Sequence, residues 1–277
     1  MITSITISSL TIGTWTSGYL FKSLSGFDFP APRIDIKYRG NKDGARLGSY
    51  FYGDRTMSIE GEIVGSSASD YETKRRALQA AFCIGEGLKT MTIVTRGGTT
   101  LTSSVIVTRL ELPYTAGKII RGDFRIEVKS PYQNLLGETL NSQEVVPYEG
   151  GGGAIPAGVP FDMSAGGTGA QTLANDGNAY AWPTITIIGG IENPSVQNQT
   201  TGKSISITYT LGSSTDNIVL DFYNRTCIIN GSINGLQYVS GEWFPLISGN
   251  NAVILTAGSN TGSAKATVEW YDEYLGI

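Results

Sequence analysis

The chain runs as short stretches in which apolar and polar residues alternate. Ile5 and Ile7 alternate with Thr and Ser; Ile34, Ile36 and Tyr38 with Asp35 and Lys37; Met57, Ile59 and Ile63 lie in a third run. Met91-Thr-Ile-Val-Thr95, Val105-Ile-Val107 and Phe124-Arg-Ile-Glu-Val128 continue the pattern. A two-residue period over so few residues predicts strands with one wet face. Asp43-Gly44 and Gly97-Gly98 are turn dipeptides of the hairpin kind.

One segment departs from this period. Ser69-Asp70-Tyr71-Glu72 reads as a capping box, in which the Ser69 hydroxyl takes a free backbone N–H and Glu72 reaches back. Leu78, Ala81 and Phe82 fall on one face beyond it, and Gly85 and Gly87 end the run. The pattern predicts a single helix near 70–84 covering one face of a sheet or barrel.

The last hundred residues return to strands. Ile185/Ile187, Ile205/Ile207/Tyr209/Leu211, Ile218-Val-Leu220, Cys227-Ile-Ile229, Ala252-Val-Ile-Leu255 and Ala266/Val268/Trp270 carry the alternation or short apolar runs, with turns expected at Asn230-Gly231 and Asn234-Gly235. Regular short strands without a capped helix predict a β-sandwich. Between the halves, 137–181 holds Gly150 to Gly153, Pro147, Pro156 and Pro160, then Gly166-Gly-Thr-Gly169. Its Val145, Ile155, Val159 and Phe161 favour an arm partly docked on its surroundings over free coil. The expected organisation is therefore all-β with one main helix, in two domains, 1–136 and 137–277, the second opening with the Gly/Pro-rich arm 137–181.

Charge sharpens the division. Residues 1–140 hold 17 Lys+Arg and 13 Asp+Glu, a net of +4, whereas 141–277 hold 3 and 11, a net of −8. The first half is too balanced to argue for nucleic-acid binding. The N-terminus lacks a basic start followed by an apolar block, and nothing approaches the ~18 uninterrupted apolar residues of a membrane span. A soluble protein made in the cytoplasm, without membrane insertion, is expected.

Composition narrows the chemistry further. Histidine is absent from all 277 residues, which removes the commonest general base and the commonest metal ligand together. Cys83 and Cys227 alone make neither a zinc site nor a disulfide framework, and two buried free thiols are expected. Paired carboxylates could still serve a glycosidase; Asp54/Glu60/Glu62 and Asp272/Glu273 are the nearest clusters. Glu60 and Glu62 share a strand face that is more simply a solvated one. No catalytic residue, cofactor or metal is expected, and the chain is read as no enzyme.

Two groups of aromatics remain. Tyr50, Phe51 and Tyr52 close a glycine-rich stretch at 40–55, and an ordinary solvent loop has no need of three in a row. They suit packing on their own domain or on a neighbour, and the interface preference for aromatics favours the neighbour. Trp182, Trp243 and Trp270 lie in the acidic half. Trp270 is in phase with Ala266 and Val268 and reads as core. Trp182 and Trp243 are the candidates for a sugar or surface contact, although packing explains them more simply.

Several motifs resemble a known family. Gly26-Phe-Asp-Phe-Pro-Ala-Pro-Arg33, Asp54-Arg-Thr-Met-Ser-Ile-Glu-Gly61 and the helix ending Leu78-Gln-Ala-Ala-Phe82 are similar to the N-terminal domain of siphophage distal tail proteins. Ser130-Pro-Tyr132 resembles tail-tube-type proteins. Asn175-Asp-Gly-Asn178, Trp182-Pro-Thr-Ile-Thr-Ile-Ile-Gly189, Glu192-Asn-Pro-Ser195, Thr200-Thr-Gly202, Leu220-Asp-Phe-Tyr-Asn-Arg-Thr226 and Trp243-Phe-Pro-Leu-Ile-Ser-Gly-Asn250 follow in the order of that family's C-terminal domain.

The resemblance implies an N-terminal split β-barrel-like domain that makes a hexameric ring, and a C-terminal galectin-like β-sandwich that faces outwards. It implies a virion protein at the distal tip of a bacteriophage tail. There a homo-hexamer joins the major tail tube protein to the tail-tip hub (tail-associated) protein and to receptor-binding proteins of the baseplate used in host attachment. Genome DNA would pass through the ring without specific binding. The family carries over no catalytic residue. The alternative is a carbohydrate-binding β-sandwich module or an adhesin contacting the host surface.

Overall fold

The computed structural model describes residues 1–83, 85, 87–114, 117, 119–148 and 169–277. Gly150 to Gly153, with Ile155, Pro156, Val159, Pro160, Phe161 and the start of Gly166-Gly-Thr-Gly169, lie outside the described residues. Strand is the dominant element, and the described residues contain one α-helix. They form two compact units: Met1–Glu138 together with Tyr274–Ile277, and Thr139–Glu273. The last four residues thus belong with the first unit. No described helix is long and apolar enough to cross a membrane.

In the first unit the strands are β1 (Ile2–Ile7), β2 (Leu10–Ile12), β3 (Tyr19–Ser25), β4 (Pro32–Tyr38), β5 (Ala45–Tyr52), β6 (Arg55–Val64), β7 (Lys89–Thr95), β8 (Thr100–Glu111), β9 (Arg121–Ser130) and the start of β10 (Leu135–Val145). Seven of them run antiparallel in the order β3-β6-β9-β8-β7-β1-β2. β8 changes partner midway. Lys89–Val94 pair with Val105–Thr100, and Ile106–Glu111 pair with Lys129–Arg125. The sheet bends there without closing into a barrel, and β2 meets β3 through one bond from the Gly13 N–H to the Tyr19 carbonyl at 2.8 Å. β6 illustrates the expected alternation: Met57, Ile59 and Ile63 are buried, while Glu60 and Glu62 face outwards.

The helix α1 spans Ala68–Ala81, so it begins before the expected 70–84 and ends before it too. Its cap is Ser67, not Ser69: the Ser67 hydroxyl accepts the Asp70 N–H at 3.2 Å, and the Asp70 carboxylate accepts the Ser66 N–H at 2.7 Å. Packing selects this start. Tyr71 sits where a side chain at Gly65 or Gly122 would collide with it, and Leu78 and Phe82 complete the buried face.

The second unit takes up the remainder of β10, then β11 (Gln171–Asn175), β12 (Thr184–Ile188), β13 (Ile191–Glu192), β14 (Ser195–Asn198), β15 (Lys203–Ile207), β16 (Thr210–Leu211), β17 (Asn217–Asp221), β18 (Thr226–Ile229), β19 (Ile233–Asn234), β20 (Val239–Gly241), β21 (Gly249–Thr256), β22 (Ser259–Asn260) and β23 (Lys265–Tyr274). One sheet runs β19-β18-β17-β12-β23, and a second runs β11-β21-β14-β15-β20. Ile185, Ile187, Ile218, Leu220, Val196, Ile205, Leu255, Val268 and Trp270 share one core, the layered arrangement of a β-sandwich. Asn175, Asn198 and Asn251 are fully buried and spend their amides on backbone groups and on each other. Buried polar groups bonded in this way fix loop geometry, because leaving one unpaired in the low-dielectric interior is costly.

Two turn and thiol expectations change. Asn230-Gly231 makes the β18–β19 hairpin, with φ of 47° and 71°. Asn234-Gly235 instead leads into a single turn at Leu236–Tyr238, and a side chain at Gly235 would strike the Cys227 Sγ at 2.7 Å. Cys227 is buried, but Cys83 is exposed just past the helix.

Candidate assembly surface

The stretch at 40–55, expected as an aromatic loop, is largely strand β5, paired antiparallel with β4 as a two-stranded ribbon separate from both cores. Every residue of both strands is exposed. A lone hairpin is marginally stable in water, so its side-chain pattern shows what it is built to meet.

The register sorts that pattern. Pro32 lies opposite Tyr52, Ile34 opposite Tyr50, Ile36 opposite Leu47 and Tyr38 opposite Ala45. Cross-strand partners share a face, so one side of the ribbon is wholly apolar. Between Ile34 and Ile36 the partner strand uses one extra residue, a β-bulge at 48–49. The bulge brings Leu47 back into phase with Tyr50. Gly48 suits it because a Cβ there would lie 2.6 Å from the Asp35 carboxylate.

The opposite side carries Arg33, Asp35, Lys37 and Arg46, with Lys37 3.7 Å from Asp35. Phe51 sits opposite Arg33 on this charged side. The three neighbouring aromatics therefore divide: Tyr50 and Tyr52 belong to the apolar face and Phe51 does not. Ile34, Ile36, Tyr38 and Leu47 complete the apolar face. Their signal was the same two-residue period, which does not say whether the covering surface belongs to this chain or another.

The ribbon is anchored at its root. Gly26 to Ala31 lead into it, and Gly53 and Asp54 lead out to Arg55. The Gly53 N–H bonds the Ala31 carbonyl at 2.9 Å and closes the root. Arg55 is 1% exposed. Its guanidinium donates to the Gly26, Asp28, Gln133 and Leu275 carbonyls, at 3.2, 2.5, 2.8 and 2.5 Å. Burial lowers its pKa, and nearby Asp28 opposes that shift. Sequence reasoning missed Arg55 because its partners are carbonyls scattered along the chain.

The tryptophan candidates sit elsewhere. Trp182 is partly buried against the second core and meets Tyr223 edge-on, ring centres 6.5 Å apart. Trp243 is partly buried and meets Phe222 edge-on at 5.2 Å. Trp270 is buried, and its indole N–H bonds the Ala174 carbonyl at 3.2 Å. Trp182 and Trp243 pack against the core of the second unit, whereas Tyr50, Phe51 and Tyr52 lie on the ribbon of the first.

Of the carboxylates in the glycosidase alternative, Asp272 accepts the Asp176 N–H at 3.1 Å and Glu273 the Trp182 N–H at 3.2 Å, while the other three are engaged in ion pairs. Glu60 lies 3.5 Å from Arg125, Glu62 3.8 Å from Arg121, and Asp54 3.2 Å from Lys129. The Lys129 contacts hold the Asp54 carboxyl below the usual carboxylate range. Among the described residues no cluster of three or more Cys, Asp or Glu is placed to hold a metal ion.

Comparison with known proteins agrees with this architecture. Residues 176–274, within the second unit but for the last, match the family model of the siphovirus-type tail component, C-terminal domain. No protein of curated function matches in sequence. Among solved structures, the chain is similar to the SPP1 Dit protein, described as a paradigm of the hub adsorption apparatus in phages infecting Gram-positive bacteria. The identity is 11%, the coverage 98% of each chain and the TM-score 0.67. A chain of the phage P2 baseplate in its activated conformation aligns at 10% identity over 97% of this chain and 98% of that one, with a TM-score of 0.45.

Proposed function

We propose, from a second unit that matches the siphovirus tail-component family and a distal-tail-protein fold over nearly the whole chain, that this protein is a structural ring subunit of a phage tail tip. Six copies would close a ring at the distal end of the tail tube. The ring joins the tube protein to the tail-tip hub and to receptor-binding components of the baseplate, and leaves a channel through which genome DNA passes. The protein is made in the host cytoplasm and ends in the virion.

The observation that carries this reading is the ribbon β4–β5. A closed ring of identical subunits needs a heterologous contact, one patch meeting a different patch on the next copy. An exposed apolar strip on an arm held clear of its own core supplies one such patch, and large exposed apolar patches mark interaction surfaces. Tyr50, Tyr52, Leu47, Ile34, Ile36 and Tyr38 form the subunit contact in this reading, and Phe51 lies on the arm's outer, charged side. The second unit decorates the ring. The match is to a tail-component family, and the fold resemblance itself brings no sugar site.

Light scattering of the purified protein, alone and with its tube or hub protein, tests this. A mass of six copies under either condition is expected. A monomer or dimer that never enlarges would remove the proposal.

A further inference from the structure

The root of the ribbon is held by parts of the chain far from it in sequence. Arg55 ties the outgoing root to the incoming one at Gly26 and Asp28. The same guanidinium reaches the turn after β9 at Gln133 and the tail at Leu275. The tail itself lies against the incoming root. The Ile277 N–H donates to the Phe27 carbonyl at 3.2 Å. A Cβ on Gly276 would lie 2.8 Å from the Asp28 carbonyl carbon and 3.0 Å from its Cα. Phe27, which accepts the first of these contacts, is buried in the first core.

We propose that Arg55 and the C-terminal residues Tyr274–Ile277 form a clasp that fixes the direction in which the ribbon leaves its unit, making the tail a positioning element of the assembly surface. A two-stranded ribbon without core contacts takes its direction only from its two exits. Here one exit is buried at Phe27, bonded at Gly26 and Asp28 and covered by the tail. Five donors in a rigid fork suit a guanidinium for collecting carbonyls from separate segments, and a lysine ammonium cannot span them. The importance of this direction for assembly rests on the ring proposal; the clasp itself does not.

Hydrogen exchange on the full chain separates the two ideas. Gly276→Val drives a side chain into the Asp28 backbone and leaves Arg55 intact. It is expected to speed exchange at least tenfold in 26–31 and at the Gly53 amide, with Ile126 and Val128 in the core unchanged. Gly212→Val, where no atom lies within 4 Å of an added Cβ, is the silent control. If Gly276→Val does not fold, ending the chain after Tyr274 gives the same readout. Arg55→Met is expected to loosen the same root segments, and Arg55→Lys to rescue them only in part.

Root segments that exchange as in the wild type, in both the valine and the shortened chain, overturn the clasp. So does a uniform rise across the first unit, which marks a merely structural residue. A loosened root with undiminished assembly keeps the clasp and removes the ribbon from the assembly contact.

Discussion

Replacing Leu47 and Tyr50 together by threonine separates assembly from folding. Both side chains lie on the apolar face of the ribbon, 66% and 69% exposed, and neither contributes to a buried core. Threonine keeps the strand preference of the ribbon. Surface changes away from packed features shift stability by about 0.5 kcal/mol or less, so the melting temperature is expected to hold. Fully burying such a side chain contributes about 1.5–3 kcal/mol. Scaled by the exposed fractions, the pair would add about 2–4 kcal/mol to one contact between copies. Its loss weakens that contact by about 30- to 1000-fold.

The assays are calorimetric melting for the fold and light scattering for the mass, the latter with tube or hub protein when assembly needs it. Normal melting with lost assembly is the expected pair of results. Unchanged assembly at wild-type concentrations would remove the ribbon from the contact between copies. So would a loss of more than about 1 kcal/mol in stability, beyond the surface range, since the side chains would then be packing on their own unit.

Other expectations follow from single contacts. A thiol reagent should modify one cysteine per native chain, Cys83, and reach buried Cys227 only on unfolding; fast modification of both would contradict the buried position in β18. Ser67→Ala removes the acceptor of the Asp70 N–H and should cost about 1 kcal/mol in chemical denaturation, whereas Ser69→Ala should not remove the cap. The Ser66 N–H and then the Lys74 ammonium hold the Asp70 carboxyl below the usual carboxylate range. Its contribution is therefore present above the unfolded pKa, about 4, and fades as pH falls through the depressed folded value. The melting gap between wild type and Asp70→Asn should accordingly narrow on acidification and not widen.

The strands of the cores were legible because burial on one face writes itself into the sequence with period two, as at Met57–Ile63, Phe124–Val128 and Ile185–Ile187. The helix was legible as an element but not in its first turn. Ser66, Ser67 and Ser69 all offer hydroxyls, and the choice among them is made by Tyr71 fitting over Gly65 and Gly122. The ribbon shows a limit of another kind. Ile34, Ile36 and Tyr38 alternate as a core strand would, and only their exposure in the fold shows that none of the described residues of their own unit covers them. The glycine-rich composition of 40–55 suggested a loop, whereas Gly48 serves a bulge and Gly44 the turn at the tip. Arg55 was invisible because a charge at the start of a strand reads as solvated, and its four carbonyl acceptors lie as far away as residue 275.

We propose that this chain closes a ring at the tip of a phage tail through its exposed ribbon. Electron microscopy of the assembled particle, with the chain marked by a specific antibody, tests it most directly. A six-fold ring bearing the label at the distal end of the tail tube is expected. Label on the capsid or along the tube, or a tip that carries the chain without six-fold order, would contradict it.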